Sequence, residues 1–378
     1  MSEVSTLDTS IIKAPAWCEV RLGAIQSNLR KIQNWIGPSV GVMGVVKANA
    51  YGHGMIEVAR ALQQEVDYLA VASLVEAQIL RQNKITAPIL VMGVTPSQEV
   101  ELAAQLKVAL TLSDWAMALE MEERLTKSGQ VLTVHLKVDS GMGRMGLWPE
   151  QAFALIQRLA ASQQFFLEGV FTHFSSADLD NRSITLDQIS KFSTLIARCK
   201  QESMTFKWVH AANSAGLLRY APAHFNMVRP GLALYGVIPC PFGSFRLEQA
   251  MSLKTRIALV KNFPPGQAVS YGATYVTPRE TRLAVLPVGY SSGYPWSLSS
   301  KAQVIMNGQL FSVVGRICMD SMMVDLQNSR FPVGQEVILI GGTPERQISI
   351  LDLAQKASTI PYEILTRLSA QLPRVFLT

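Results

Sequence analysis

Between residues 40 and 237, short apolar runs alternate eight times with stretches whose apolar residues recur at three and four, and nothing else constrains the fold so tightly. The runs cover residues 40–47, 68–73, 88–94, 108–113, 131–139, 166–173, 206–211 and 225–229. Helix-period segments lie between them at 55–66, 74–83, 114–128, 149–162 and 184–201. Eight β/α repeats predict an α/β chain built on a closed (β/α)8 barrel of the TIM type rather than an open sheet.

Pro239, Pro241 and Gly243 break the pattern. Beyond them lie short strand-like runs with turn signals, at 255–260, 268–275, 283–287, 302–305, 310–314, 322–326 and 336–340. Asn307-Gly308 between two such runs is the strongest hairpin signal. Helices are expected at 350–358 and 362–368. The expected organisation is a barrel over 15–240 and a mainly β domain over 241–378, with a strand near 17–21 that is free to pack on the second domain. Residues 1–14 lack a basic start and a long apolar segment, so they read as a flexible tail rather than a secretory signal.

Composition narrows the partners. With 16% charged and 48% hydrophobic residues, the chain has the balance of a soluble protein with a large core. The net charge of +6 is spread among acids, which gives no nucleic-acid or lipid-binding surface, and no apolar run is long enough to cross a bilayer. Cys18, Cys199, Cys240 and Cys318 are far apart with no CxxC, against a metal site or a disulfide framework. A reducing, cytoplasmic location is expected.

In a barrel, polar residues that end strands converge on one face. Here they are Lys47 in VVKANAYGHG, Lys137 and Arg144 around the fifth run, His173 after the sixth, Asn213 and Ser214 after the seventh, and Arg229 with Gly231 after the eighth. A lysine held among apolar groups loses its proton readily and can act as a base or form an imine. The same position also suits a lysine snorkelling from the core edge, and the stretch alone leaves both readings open. Ser214, Gly231-Leu232 and Tyr51 suit a phosphate, and an imine-forming lysine beside a phosphate cradle suggests pyridoxal phosphate. Gly41, Gly44 and Lys47 resemble a P-loop, but the spacing is wrong and no Ser or Thr follows the lysine. Residues 289–293 fit GxSxG, a nucleophile elbow that must lead into a helix; the following Pro295 and SLSS carry no helical period.

Eight ordered segments resemble the alanine racemases: VVKANAYGHG, LKVDSGMGRMG, VFTHFSSAD, HAANSAG, MVRPGLALYG, VSYGATY, VGRICMD and TIPYEILTRLS. The likeness runs over residues 15–373. It implies a pyridoxal-phosphate isomerase that interconverts L- and D-alanine and supplies D-alanine for peptidoglycan. The family works as a homodimer whose sites use residues of both chains. By this resemblance Lys47 carries the cofactor and is one catalytic base, and Tyr271 of the partner chain is the other. His173 is placed to hydrogen-bond that tyrosine. Arg229 faces the pyridine nitrogen, and because a guanidinium only donates, that nitrogen stays unprotonated.

The resemblance further implies that Arg144 meets the cofactor's phenolic oxygen and the substrate carboxylate, oriented by a Lys137 that is carbamylated in many relatives. Tyr51, Ser214, Gly231, Leu232 and Tyr362 match phosphate contacts. Met319, with Asp320 beside it, matches a partner-chain contact to the substrate carboxylate. Tyr290 and Tyr362 match a gate that keeps the substrate small. One segment departs: the family pattern GY-x-D-G-Y-P-R has Ser292 for its aspartate and Trp296 for its arginine here. The alternatives are a racemase that also accepts serine, since a small site rejects one added hydroxyl poorly, and a barrel-fold pyridoxal-phosphate decarboxylase or aldolase. VSYGATY and GRICMD speak against the latter, because a decarboxylase needs no tyrosine opposite the lysine.

Overall fold

A computed structural model describes residues 14–378 except Pro241 and Pro344. The expected tail lies outside the described residues apart from Ala14. The chain forms two compact units, Ile25–Leu247 and Glu248–Thr378 with the N-terminal segment up to Ala24.

In the first unit the strands Gly41–Val45, Tyr68–Val71, Ile89–Val91, Ala109–Leu112, Leu132–Lys137, Phe165–Phe171, Trp208–His210 and Met227–Val228 close into a barrel. All neighbours are parallel, and the last pairs with the first, Gly41 opposite Met227 and Val42 opposite Val228. All eight expected runs are strands, each shorter than its apolar run because the run continues into the βα turn. The helices expected at 55–66, 74–83, 114–128, 149–162 and 184–201 form at Met55–Leu62, Leu74–Gln82, Trp115–Ser128, Pro149–Ala160 and Ser183–Gln201. Their starts follow local chemistry: the side chains of Ser73 and Asp114 accept from the N–H groups of Glu76 at 3.3 Å and Met117 at 2.9 Å. One helix went unread, Leu22–Ile36, which buries Ile25, Leu29 and Ile32 at a three-and-four spacing.

In the second unit one sheet runs in the order Leu259–Phe263, Thr281–Leu286, Met322–Asp325, Gln309–Val314, Gln303–Met306, Glu336–Thr343, Met251–Arg256, Ala16–Arg21 and Arg374–Leu377, with Arg346–Ile348 pairing beside Glu336–Thr343. The N-terminal strand Ala16–Arg21 is antiparallel to Met251–Arg256 and parallel to Arg374–Leu377. The hairpin forms as read: Met306 faces Gln309, and Asn307 and Gly308 take φ of 43° and 72°, the positive pair that a two-residue turn requires. Two runs are corrected. Residues 255–260 straddle the end of Met251–Arg256 and the start of Leu259–Phe263. Residues 268–275 are not one strand, because Ser270 (φ 65°), Gly272 (φ 71°) and Ala273 (φ 47°) turn the chain sharply between Ala268–Val269 and Tyr275–Val276.

Candidate active site

Lys47 stands two residues beyond the end of the first barrel strand and opens a turn in which Ala48, Asn49, Ala50 and Tyr51 all have φ of 53°. Left-handed backbone costs an L-residue about 1–2 kcal/mol, so four in succession need anchoring. The anchors are specific. Glu76 Oε1 accepts from Ala48 N at 2.7 Å, Val46 O from Ala50 N at 2.8 Å, and Asn49 Oδ1 from Met55 N at 2.8 Å. His53 Nδ1 lies 3.0 Å from Ala50 O, and its ring stacks on Tyr235, whose hydroxyl donates to Val45 O at 2.8 Å.

Around Lys47 the structure gathers Lys137, Arg144, His173 and Arg229. Lys47 is pushed below the ordinary lysine value by burial first and by the charges of Arg144 and Arg229, with Glu76 opposing. Lys137 is 2% exposed and is lowered to about 7 by burial, then by Arg229, with Asp139 opposing. Its Nζ donates to Val138 O at 2.8 Å. The Asp139 carboxylate caps the following loop, accepting from the N–H groups of Gly141, Met142 and Gly143 at 2.8–3.2 Å, and this loop carries the exposed Arg144. His173 is driven well below the usual histidine range by burial, then by Arg229, Lys137, Arg144 and Lys47.

Arg229 is 3% exposed and is lowered to about 9 by burial. Its Nη1 donates to His210 Nδ1 at 3.0 Å, and its Nη2 to Thr172 O at 2.8 Å, Ala211 O at 2.9 Å and His173 Nδ1 at 3.3 Å. None of these bonds uses the Nε–H.

A second group forms where Ser214 Oγ accepts from the N–H groups of Gly231 at 3.0 Å and Ala233 at 3.1 Å. The Leu232 N–H meets no acceptor among the described residues. A Cβ on Gly231 would overlap the Tyr51 hydroxyl, so only glycine lets that ring lie against this backbone.

The remaining expected residues lie on the β unit. Tyr271 is 70% exposed, on the turn that Ser270 fixes by donating from Oγ to Arg316 O at 2.6 Å. Tyr290, Met319 and Asp320 come together because a Cβ on Gly289 would overlap the carbonyl oxygens of Cys318 and Met319. Ser291 Oγ then lies 2.9 Å from Met319 O and 2.7 Å from Asp320 Oδ1, its one proton within reach of both. This turn enters no α-helix, since Tyr290–Ser292 and Trp296–Leu298 are single 3-10 turns, and it does not form a nucleophile elbow. A cleft of about 440 Å³ is lined by Tyr290, Gly293, Tyr294, Pro295, Trp296 and Arg367. Trp296 itself carries the Arg316 guanidinium 5.7 Å from its ring centre. Tyr362 is half-buried in the helix Pro361–Thr366.

Sequence reasoning did not single out Glu76, Asp139, His135, His210 or Glu168. The last three are polar residues inside apolar barrel strands, and that was their available signal.

The chain matches the family model for the alanine racemase N-terminal domain over residues 20–239 and that for the C-terminal domain over 250–376. It is 40% identical to the alanine racemase of Desulforamulus reducens over 372 residues, 97% of this chain and 100% of the relative. Among solved structures, alanine racemase from Clostridium difficile 630 aligns with a TM-score of 0.91 at 36% identity, covering 97% of this chain and 96% of the other. Alanine racemase from Bacillus anthracis, solved with bound L-Ala-P, aligns with a TM-score of 0.89 at 38% identity, covering 96% and 95%.

Proposed function

The chain belongs to the alanine racemase family and interconverts L- and D-alanine, and from that premise we propose which of its residues carry the reaction. The observation that carries the proposal is the largely buried Lys47, its proton affinity lowered by burial and by the charges of Arg144 and Arg229, the latter leaving its Nε–H out of its bonds to the barrel. Pyridoxal phosphate suits these residues. The Leu232 N–H and the Tyr51 hydroxyl, which Gly231 lets approach the backbone, fit a phosphate. The Arg229 Nε–H suits a ring nitrogen. When bound, this cofactor supplies an electron sink that acidifies the substrate's α-carbon.

Lys47 is the attachment point and removes or returns the α-proton on one face. Tyr271 of a second copy does so on the other, taking the proton from L-alanine. To act as a base the tyrosine must give up its hydroxyl proton, and the resulting phenolate needs a donor. His173 supplies one: its Nδ1 accepts from Arg229, and burial keeps it neutral, which leaves the proton on Nε2 to donate. Arg229 only donates, so it withholds a proton from the ring nitrogen and keeps carbanion charge near the α-carbon, which favours racemisation over transamination. Arg144 and the Met319–Asp320 turn of the second copy hold the substrate carboxylate. Tyr290 and Tyr362 bound the space for its side chain, and Tyr362 also reaches the phosphate. CO2 adding to the neutral Lys137 Nζ, with loss of one proton, gives a carbamate that orients Arg144. The enzyme acts in the cytoplasm, and its D-alanine serves peptidoglycan.

The test incubates the holoenzyme with single L- and D-amino acids and measures both enantiomers by chiral chromatography. Alanine is interconverted, and Lys47→Ala abolishes the reaction. If no amino acid is interconverted, the assignment falls.

A further inference from the structure

Behind Arg229 a chain of buried polar groups crosses the barrel core toward the N-terminal ends of the strands. None of the groups beyond Arg229 is used by the reaction above. Arg229 Nη1 lies 3.0 Å from His210 Nδ1, His210 Nε2 lies 2.9 Å from His135 Nδ1, and His135 Nε2 lies 3.5 Å from Glu168 Oε2. Glu168 also accepts from Tyr68 Oη and from Lys207 Nζ at 2.9 Å. Both imidazoles are fully buried and Glu168 is 7% exposed, whereas the Lys207 side chain is 60% exposed.

The direction of this chain follows from its ends. A guanidinium only donates, so His210 Nδ1 accepts and the His210 proton sits on Nε2. His135 Nδ1 must then accept and its proton sits on Nε2, which closes no hydrogen bond but faces the Glu168 carboxylate in an electrostatic contact at 3.5 Å. Burial pushes both histidines down, which keeps each ring neutral with one donor and one acceptor. The rings are fixed in place. His210 stacks on Phe171 with 4.8 Å between centres, and His135 meets Tyr68 edge-on at 5.4 Å. A Cβ at Gly169 would strike the His135 ring, so this strand glycine makes the space the imidazole fills. Burial opposes ionisation of Glu168, yet the His135 contact and the bonds from Tyr68 and Lys207 hold its carboxyl at about 2.

Among the described residues Arg229 bonds only to carbonyls and imidazoles, and the first carboxylate along this line is Glu168, in contact at 3.5 Å with the far side of His135. We propose that Glu168 is a remote positioning residue: through His135 and His210 it fixes both tautomers, makes His210 Nδ1 a stronger acceptor, and thereby holds the Arg229 guanidinium in the orientation that leaves Nε–H for the ring nitrogen. This rests on the placement of Arg229 at the cofactor.

The test uses the holoenzyme with ¹⁵N-labelled histidine. In the parent protein His135 and His210 are both protonated on Nε2. In Glu168→Gln the His210 ring resonances move although it does not touch residue 168. Racemisation falls about 10-fold, the scale of losing a bonded partner behind a reactive group, while pyruvate formed by abortive amino-group transfer to the cofactor rises per alanine racemised. Lys207→Met, at the exposed end, moves the same His135 and His210 signals in the same direction by less, and decides the matter if Glu168→Gln does not fold. His210 protonated on Nδ1 in the parent, or variants that leave its signals and the pyruvate ratio unchanged, overturns the proposal. Failure of the parent to racemise alanine overturns the placement of Arg229 at a cofactor and leaves the tautomer result standing.

Discussion

Single residues in this molecule are set against their ordinary chemistry by what surrounds them, and Lys137 is one such case. Its amine is lowered to about 7, against about 10.4 in an unfolded chain. Between those values the unfolded chain binds the extra proton, so this residue makes stability rise with pH from about 7 to 10 and costs stability below 7. Lys137→Met flattens that part of a plot of denaturation midpoint against pH; an unchanged slope contradicts the assignment. The neutral amine also prevails above pH 7, so adding bicarbonate there strengthens substrate binding in the parent protein and not in Lys137→Met, read as KM. Gly231→Ala places a methyl against the Tyr51 hydroxyl and weakens pyridoxal phosphate binding by at least 10-fold, a 1.4 kcal/mol change. Tyr51→Phe in the same chain relieves part of the overlap, which fluorescence titration of the apoenzyme with cofactor detects. Tyr271→Phe slows exchange of the α-proton of L-alanine into deuterated water far more than that of D-alanine, and equal slowing counts against two opposed bases.

At the scale of elements, what the sequence displays depends on whether side-chain pattern or backbone dihedral decides the structure. The barrel strands were legible because burial on both faces leaves a continuous apolar run, as in Tyr68–Val71 and Ala109–Leu112. The Asn307-Gly308 hairpin was legible because both residue types tolerate positive φ. That turn permits a clean test: Gly308 has φ of 72° and open space around it, so Gly308→Ala destabilises by about 1–2 kcal/mol through the backbone alone. Urea unfolding reads the loss, and kcat does not change. The turn after Lys47 was illegible for the converse reason. Two alanines there take left-handed φ because Glu76, Val46 and Asn49 hold the backbone, and nothing in alanine announces it. Residues 268–275 misled similarly, since Val, Tyr and Thr favour strands while Ser270 and Ala273 reverse the chain. His135, His210 and Glu168 sat inside strand patterns as interruptions, and their meaning appears only when three strands place them in line.

For the whole molecule, the decisive arrangement is that Lys47 belongs to the barrel unit and Tyr271 is exposed on the β unit. No helix among the described residues is long and apolar enough to cross a membrane. If each site takes Tyr271 from another copy, Lys47→Ala and Tyr271→Phe chains are inactive apart. Dissociated, mixed in equal amounts and reassociated, they pair at random, and about one quarter of all sites regain both groups. Chiral analysis of alanine before and after mixing reads that recovery, and none is expected if the two residues act within one chain. The same exposed tyrosine has a genetic consequence. In a cell carrying two damaged copies of the gene, lesions at residues 47 and 271 complement one another, whereas two lesions at residue 47 do not. The pattern of complementation among alleles would then sort mutations by the side of the active site they strike.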